Sequence, residues 1–505
     1  MTHEVIVVGG GIGGLTTAAL LAARGADVCL VERQSFVGGC ATALAHHGYT
    51  FDLGAGVYSL WGFGELHQRV FAELGVPAPE VKAIDPSYAI RLPDATDVIV
   101  EANDDHFFAT LATCFPECAS DAISFYRRFT EIGERLLRAA SRFPHLASLS
   151  MWDKAQLLLA DPGLCLLLAT DLNKSVNDYL RFTGPRFKCF IDAQLQSFFG
   201  DASEHCPAAY AALVLMIYRR SAYAVQGGGA RLAESLAASI QASGGQIRFD
   251  STALRLTYRG SGEVNGVTLL SGETLSASRA VVSNLTVWDT YGKLVGLNRV
   301  SDDVRKLLKN LTGWSRYLIH AGLKETAAAT LPADHIIGVT EWPKGASFSV
   351  DQAFFNFTMA PLGCAGSGGR RRDGMTLAEA DRWFSFRRDE IPTKSKTNHP
   401  GCLWDRLHQA LPEVTESLEL IEIHAARLER TRRRLGITGA RACSPPTNNT
   451  RCSRIAPSCR TFTWSATQFS RGRERRPSHT RRLSSPMKSP RHLVREMAGR
   501  MHFEI

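Results

Sequence analysis

Residues 9–14 read GGGIGG, and VIVV at 5–8 stands directly before them. Glycines spaced Gly-x-Gly-x-x-Gly let a chain turn tightly and bring bare backbone against a diphosphate. Gly9 permits the turn, Gly11 the approach of the pyrophosphate, and Gly14 the close packing of a following helix. Gly10, Ile12 and Gly13 complete the loop, and the helix start offers unpaired N–H groups to an anion. Glu32, 18 positions after Gly14, ends the run ADVCLVE and places one carboxylate where a ribose hydroxyl pair would sit. The adjacent Arg33 is either a surface charge or a neighbour of the adenosine. The chemistry indicated is dinucleotide binding. No Ser/His/Asp or paired-carboxylate constellation stands out, so no catalytic side chain is named.

These residues need elements to hold them. VIVV is a β-branched run suited to a strand buried on both faces. LTTAALLAARG at 15–25 suits a helix packed closely on it, and ADVCLVE a second strand. Residues 225–256 then repeat the theme, with a glycine turn, an amphipathic helix, a Gly-Gly stop and a strand.

The continuation distinguishes one dinucleotide from another. SFVGGCATALAHHGYTFDLGAGVY at 35–58 places a second glycine pair at Gly38 and Gly39, then a hairpin-like stretch and a Phe-Asp-x-Gly turn. A flavin dinucleotide needs such further backbone approaches along its ribityl chain. On these residues the chain resembles the flavin amine oxidase and phytoene desaturase superfamily, most nearly its carotenoid isomerase, bacterial desaturase and retinol saturase branch. The resemblance implies a Rossmann-like α/β domain of the glutathione-reductase type that binds FAD, with an inserted helical plus β substrate lobe. It implies that Gly38, Gly39 and Cys40 lie along the flavin and that the backbone of Leu254 meets the adenine. Relatives carry Arg or Ser where this chain has Cys40; a redox thiol and a small packing residue are the two readings. His46 and His47 lack a third ligand, and no metal is expected.

From about 66 to 224 the pattern is helical. SDAISFYRRFTEIGERLLRAA is amphipathic, and AQLLLADPGLCLLLATDL reads as core helix. FFNFTMAP at 354–361 reads as a buried strand. The domains expected are a discontinuous FAD-binding domain, 1–65 and 225–295, and a substrate lobe, 66–224 and 296–436. The resemblance resumes with DRWFSF at 381–386, LWDRLHQALPE at 403–413 and TRRRLG at 431–436, around a Gly/Arg loop at 363–375. It implies an oxidoreductase moving reducing equivalents between the flavin and a long apolar polyene, by desaturation or cis–trans isomerisation. The alternatives are a flavin amine oxidase on a soluble amine and an inactive remnant.

Composition bounds the partners. Of the 505 residues, 45% are hydrophobic, and the formal charge is +9. Residues 437–505 hold 14 Lys/Arg against 3 Asp/Glu, so the basicity belongs to them and the rest of the chain is slightly acidic. Nucleic acid is therefore not the expected partner, and the resemblance implies an apolar, carotenoid-like small molecule instead; a nucleic-acid-binding tail is the competing reading of 437–505. Twelve scattered cysteines fit a reduced cytoplasmic setting. No apolar run reaches the roughly 18 residues of a bilayer span, and peripheral membrane contact stays open. Nothing in the sequence sets an oligomeric state.

The resembling family ends on a strand carrying Gly-Asp, a glycine turn and a helix that hold the flavin. Instead, 457–474 here read PSCRTFTWSATQFSRGRE. Permitted codons for these residues, read from each third base, give KLPDIYLVGDTVFPGQG, and RRLSSPMKS gives ALELADEV. The expectation is that the frame slips between about Gly436 and Ile455, making 437–505 a disordered, out-of-frame tail.

Overall fold

The computed structural model describes residues 2–46, 49–52, 56–62, 64–142, 151–171, 174–260, 262–310, 314–323, 330–343, 354–359, 370–379, 405–415, 418–424 and 462–464. Its first layer is a sheet in the strand order Gln246–Arg248, Val28–Val31, Thr2–Val8, Thr274–Ser283, Val264–Leu269, Ala253–Tyr258. The first four run parallel, and the last two pairings, of Val264–Leu269 with Thr274–Ser283 and of Ala253–Tyr258 with Val264–Leu269, are antiparallel. Val8 is opposite Val31 on one side and Ser283 on the other, so three strands end level at the glycine turn.

The continuous VIVV run has a direct physical cause. Val5 and Val7 enter one core, with Leu15, Ala19, Leu232, Leu236 and Ile240 of the helices Ile12–Ala23 and Gly228–Ala242. Ile6 and Val8 enter another, with Cys29, Val267, Val281 and Leu294. Covered on both faces, the strand has no solvent side on which a polar residue would be favoured. The small three-strand sheet of Tyr58–Ser59, Ala222–Val225 and Val81–Ala83 ties the loop after the second glycine pair to the chain entering the Gly228–Ala242 helix.

The remaining layers are a seven-stranded mixed sheet and a helical assembly against it. The sheet order is Leu418–His424, Trp314–Leu323, Arg370–Glu379, Phe354–Met359, His335–Val339, Tyr88–Arg91, Asp97–Val100. Phe354–Met359 is buried at Phe354, Phe355, Asn356, Phe357 and Met359, as its apolar reading expects. The amphipathic stretch forms the helix Ala119–Arg142, which crosses the helix Ala208–Arg220 at Gly133. A Cβ at Gly133 would stand 2.6 Å from the Ala212 carbonyl oxygen, so only glycine admits this crossing. Phe107, Phe115, Phe125, Tyr126, Phe129 and Phe187 fill the space beside it. Tyr88 and Tyr126 donate their hydroxyls to Gln194 Oε1 at 2.8 and 2.9 Å, and Gln194 Nε2 donates to the Phe190 carbonyl, which satisfies this buried polar trio.

The core reading of AQLLLADPGLCLLLATDL is corrected in part. The stretch breaks at Asp161–Pro162 into the helices Met151–Ala160 and Pro162–Asp171. Leu157 and Leu164 are buried, whereas Leu158, Leu159 and Leu166 are exposed, Leu159 at 85%. Apolar residues on every side of a short helix pair exceed what one supporting layer can cover. Trp152, at 71%, and Phe182, at 87%, add exposed rings on the same lobe. No helix among the described residues is long and apolar enough to cross a membrane.

One titratable group couples this fold to pH. The His67 ring stacks on buried Trp61 with centroids 4.6 Å apart, and burial lowers its pKa from 6.5 to about 4. Between those values the unfolded chain binds a proton that the folded one refuses. This contribution to stability is therefore complete above about pH 6.5 and is lost as the pH falls through about 4, at no more than ~1.4 kcal/mol per pH unit. Urea unfolding at pH 5 and pH 7 should show a smaller loss of stability on acidification for His67→Phe than for the natural chain; equal losses would remove this assignment.

Candidate dinucleotide site

The glycine turn is held from three sides. Gly9 N–H donates to the Val31 carbonyl at 2.8 Å, Leu15 N–H to the Gly11 carbonyl at 2.9 Å, and Gly38 N–H to the Gly10 carbonyl at 2.8 Å. Gly11 is the N-cap of the helix, with no side-chain cap, so the first-turn N–H groups that follow it lack intrahelical partners. Ile12 opens the helix half-buried. Gly14 makes the closest approach: a Cβ there would lie 2.1 Å from the Gly9 carbonyl oxygen.

Glu32 is buried, at 9% exposure, where the second strand ends. Its Oε2 accepts the Gly10 N–H at 2.6 Å and its Oε1 the Gln34 N–H at 2.9 Å. Two backbone donors fix this carboxylate beside the turn. Arg33 is half-buried. Ser251 N–H donates to the Glu32 carbonyl at 2.9 Å, which brings the 250–254 segment alongside. Leu254 stands there at a break in strand register between Ala253 and Arg255, 46% exposed.

The second glycine pair closes onto the first. Gly38 bridges Gly11 in parallel fashion, and a Cβ at Gly39 would lie 3.1 Å from Gly11 Cα. Gly38 has a φ of +114°, and a Cβ there would meet the Ala41 carbonyl oxygen at 2.4 Å. The two pairs therefore form one stretch of bare backbone, continued by half-buried Cys40. Beyond it Ala43–His46 and Tyr49–Asp52 pair as a hairpin; His47 lies outside the described residues. Bare backbone, free N–H groups and one fixed carboxylate are a donor set that fits a dinucleotide.

Residues 7–74 match the family of NAD(P)-binding Rossmann-like domains. Prolycopene isomerase 2, chloroplastic, of an Oncidium hybrid cultivar is 28% identical over 383 residues, covering 72% of this chain and 62% of that protein. The carotenoid 3,4-desaturase of Haloarcula japonica is 27% identical over 287 residues, 56% of this chain and 55% of that protein. Homologues of this chain thus include carotenoid isomerases and desaturases. Among solved structures, an oxidoreductase from Methanosarcina mazei superposes with a TM-score of 0.56 at 15% identity, over 84% of this chain and 87% of that one, which shows the fold alone.

The chain thus carries a Rossmann-like dinucleotide-binding domain in a mixed α/β fold shared with the Methanosarcina mazei oxidoreductase, and the carotenoid-modifying relatives named above are enzymes. The structure brings Gly9 to Gly14, Glu32, Gly38 and Gly39 into one contact set, with Cys40 following Gly39 in the chain. It places Arg33 and Leu254 on the flank near Glu32. It also adds Asn284, which nothing in the glycine spacing singles out. The available signal is its place directly after AVVS, at the carboxyl end of a strand parallel to the first, where open α/β sheets receive ligands.

Proposed function

We propose that this chain is an FAD-dependent oxidoreductase acting on a long apolar polyene, by desaturation or cis–trans isomerisation. The observation that carries the flavin reading is the contact of Gly38 and Gly39 with Gly10 and Gly11. A groove of bare backbone running past the diphosphate position suits a dinucleotide with a long ribityl arm. The polyene reading draws on the activities of the relatives, of which the first-named is matched over 62% of its length.

A bound flavin supplies the hydride or electron-pair chemistry. The chain's own residues bind and orient. Gly11, Gly14, Gly38 and Gly39 admit the cofactor to the backbone, Glu32 receives the ribose, and Leu254 and Arg33 border the adenosine. Cys40 is a small residue beside the flavin. The aromatic core of the helical lobe keeps water from an apolar substrate. Exposed Trp152, Leu158, Leu159, Leu166 and Phe182 suit peripheral contact with a membrane in which such a substrate dissolves.

The test is to purify the chain, add FAD, and record the visible flavin spectrum. The flavin-loaded protein is then mixed with liposomes carrying phytoene or cis-lycopene, and the pigments are separated by chromatography. Flavin uptake with a new desaturated or isomerised pigment is the expected result. A protein that stays colourless in excess FAD, or a yellow one that leaves every polyene unchanged with and without an electron acceptor, would overturn the reading.

A further inference from the structure

We infer that Asn284 is a cofactor-positioning residue, its side-chain Nδ2–H donating to the diphosphate of the bound dinucleotide above the glycine turn. The inference rests on the flavin-dinucleotide reading above and assigns that site one further side chain.

Asn284 directly follows the strand Thr274–Ser283, and its backbone N–H donates to the Val8 carbonyl at 2.8 Å. The carboxyl ends of two neighbouring parallel strands are thereby joined beside the glycine turn, the part of an open α/β sheet where ligands bind. From that point the side chain reaches across the first turn of the helix Ile12–Ala23. A Cβ at Gly11 would stand 2.8 Å from Asn284 Nδ2, and a Cβ at Gly13 would stand 2.7 Å from Asn284 Oδ1. A Cβ at Gly14 would stand 3.1 Å from Asn284 Cβ. One amide therefore lies against three of the motif's glycines, and any larger residue at 11 or 13 would displace it.

The orientation of the amide follows from charge. Oδ1 stands over Gly13, within the first turn, where N–H groups without intrahelical partners concentrate positive potential. Nδ2 stands over Gly11, the residue on which Gly39 closes. Nδ2 also stands 3.2 Å from where a Cβ at Gly14 would lie, so the amide spans the helix start with its oxygen over Gly13 and its nitrogen over Gly11 and Gly14. A diphosphate only accepts hydrogen bonds, so a neutral amide able to offer an N–H at the helix start complements it. A carboxylate of the same size would oppose it.

The experiment titrates FAD into the 505-residue chain and follows quenching of flavin fluorescence. Asn284→Ala is expected to weaken binding about tenfold, the worth of one hydrogen bond to an anion. Asn284→Asp, nearly isosteric, is expected to weaken it at least as much again, and added salt should recover part of that second loss. Thermal unfolding without FAD reports whether each variant folds. If the aspartate variant does not fold, Asn284→Ala alone decides, through ADP and adenosine as competitors. ADP should lose affinity with FAD, and adenosine, which has no diphosphate, should not. An aspartate variant within twofold of the natural chain, or an alanine variant that weakens adenosine as much as ADP, would overturn the assignment while leaving the flavin reading intact. A natural chain that binds neither FAD nor ADP would remove both.

Discussion

Gly14→Val should abolish flavin uptake and lower folding stability by about 3 kcal/mol or more, the upper range for overpacking. The first atom added at position 14 meets the Gly9 carbonyl oxygen at 2.1 Å. That oxygen belongs to the backbone of the turn, whose N–H is bonded to Val31, so it cannot swing aside as a side-chain atom would. The helix Ile12–Ala23 would have to lift from the Thr2–Val8 strand, carrying its first-turn N–H groups away from Gly38 and Glu32. Gly260→Ala is the matched control, because nothing lies within 4 Å of a Cβ there; it should stay within about 0.5 kcal/mol of the natural chain. Flavin absorption after reconstitution and the urea midpoint measure both effects. A valine variant that keeps both would show that close packing at this turn is not what the dinucleotide requires.

We propose that 437–505 is read out of frame, in which case restoring the frame should raise flavin affinity by at least tenfold. Within that segment the described residues are 462–464, a strand lying parallel to Val281–Ser283 on the side away from Thr2–Val8. Strand Phe462–Trp464 therefore ends where the carboxyl ends of Thr2–Val8 and Thr274–Ser283 meet the glycine turn. With permitted codons, the alternate phase gives Tyr-Leu-Val through this strand and Gly-Asp directly after it, an acidic turn at the ligand end of the sheet. In the present phase the chain continues Ser465, Ala466, Thr467. Sequencing the gene tests the premise, since codons that cannot yield valine, glycine and aspartate in the alternate phase end the idea. Comparing FAD titrations of the two polypeptides tests the consequence. Equal affinities would mean that the segment has no part in holding the cofactor.

Several features of the site were legible because they follow from local chemistry. The glycine spacing, the β-branched run before it and the carboxylate closing the next strand each depend on residues within about thirty positions. Asn284 was not legible: it reaches the turn through a parallel strand pair whose members lie some 270 residues apart. The exposed leucines of 158–166 were misread for a related reason. Hydrophobicity states that a residue gains by burial but does not state whether a neighbouring layer exists to bury it. The resumed family stretches at 381–386 and 431–436, residues 363–369 and most of 437–505 lie outside the described residues; the second half of the expected Gly/Arg loop is instead the start of the strand Arg370–Glu379, held by pairing with Trp314–Leu323 and Phe354–Met359 on its two sides.

By itself the sequence determined that a Rossmann-like turn opens the chain, since only glycine at those spacings lets backbone, helix start and diphosphate share one small space. It also determined an α/β class, through apolar runs with no polar alternation. Only the tertiary structure decided that Gly38 and Gly39 lie against Gly10 and Gly11, that two amide N–H groups hold the Glu32 carboxylate, and that Asn284 lies over the helix start. Those contacts arise from strand order, which is set by how two apolar cores close on the two faces of one sheet, and no local pattern encodes that closure.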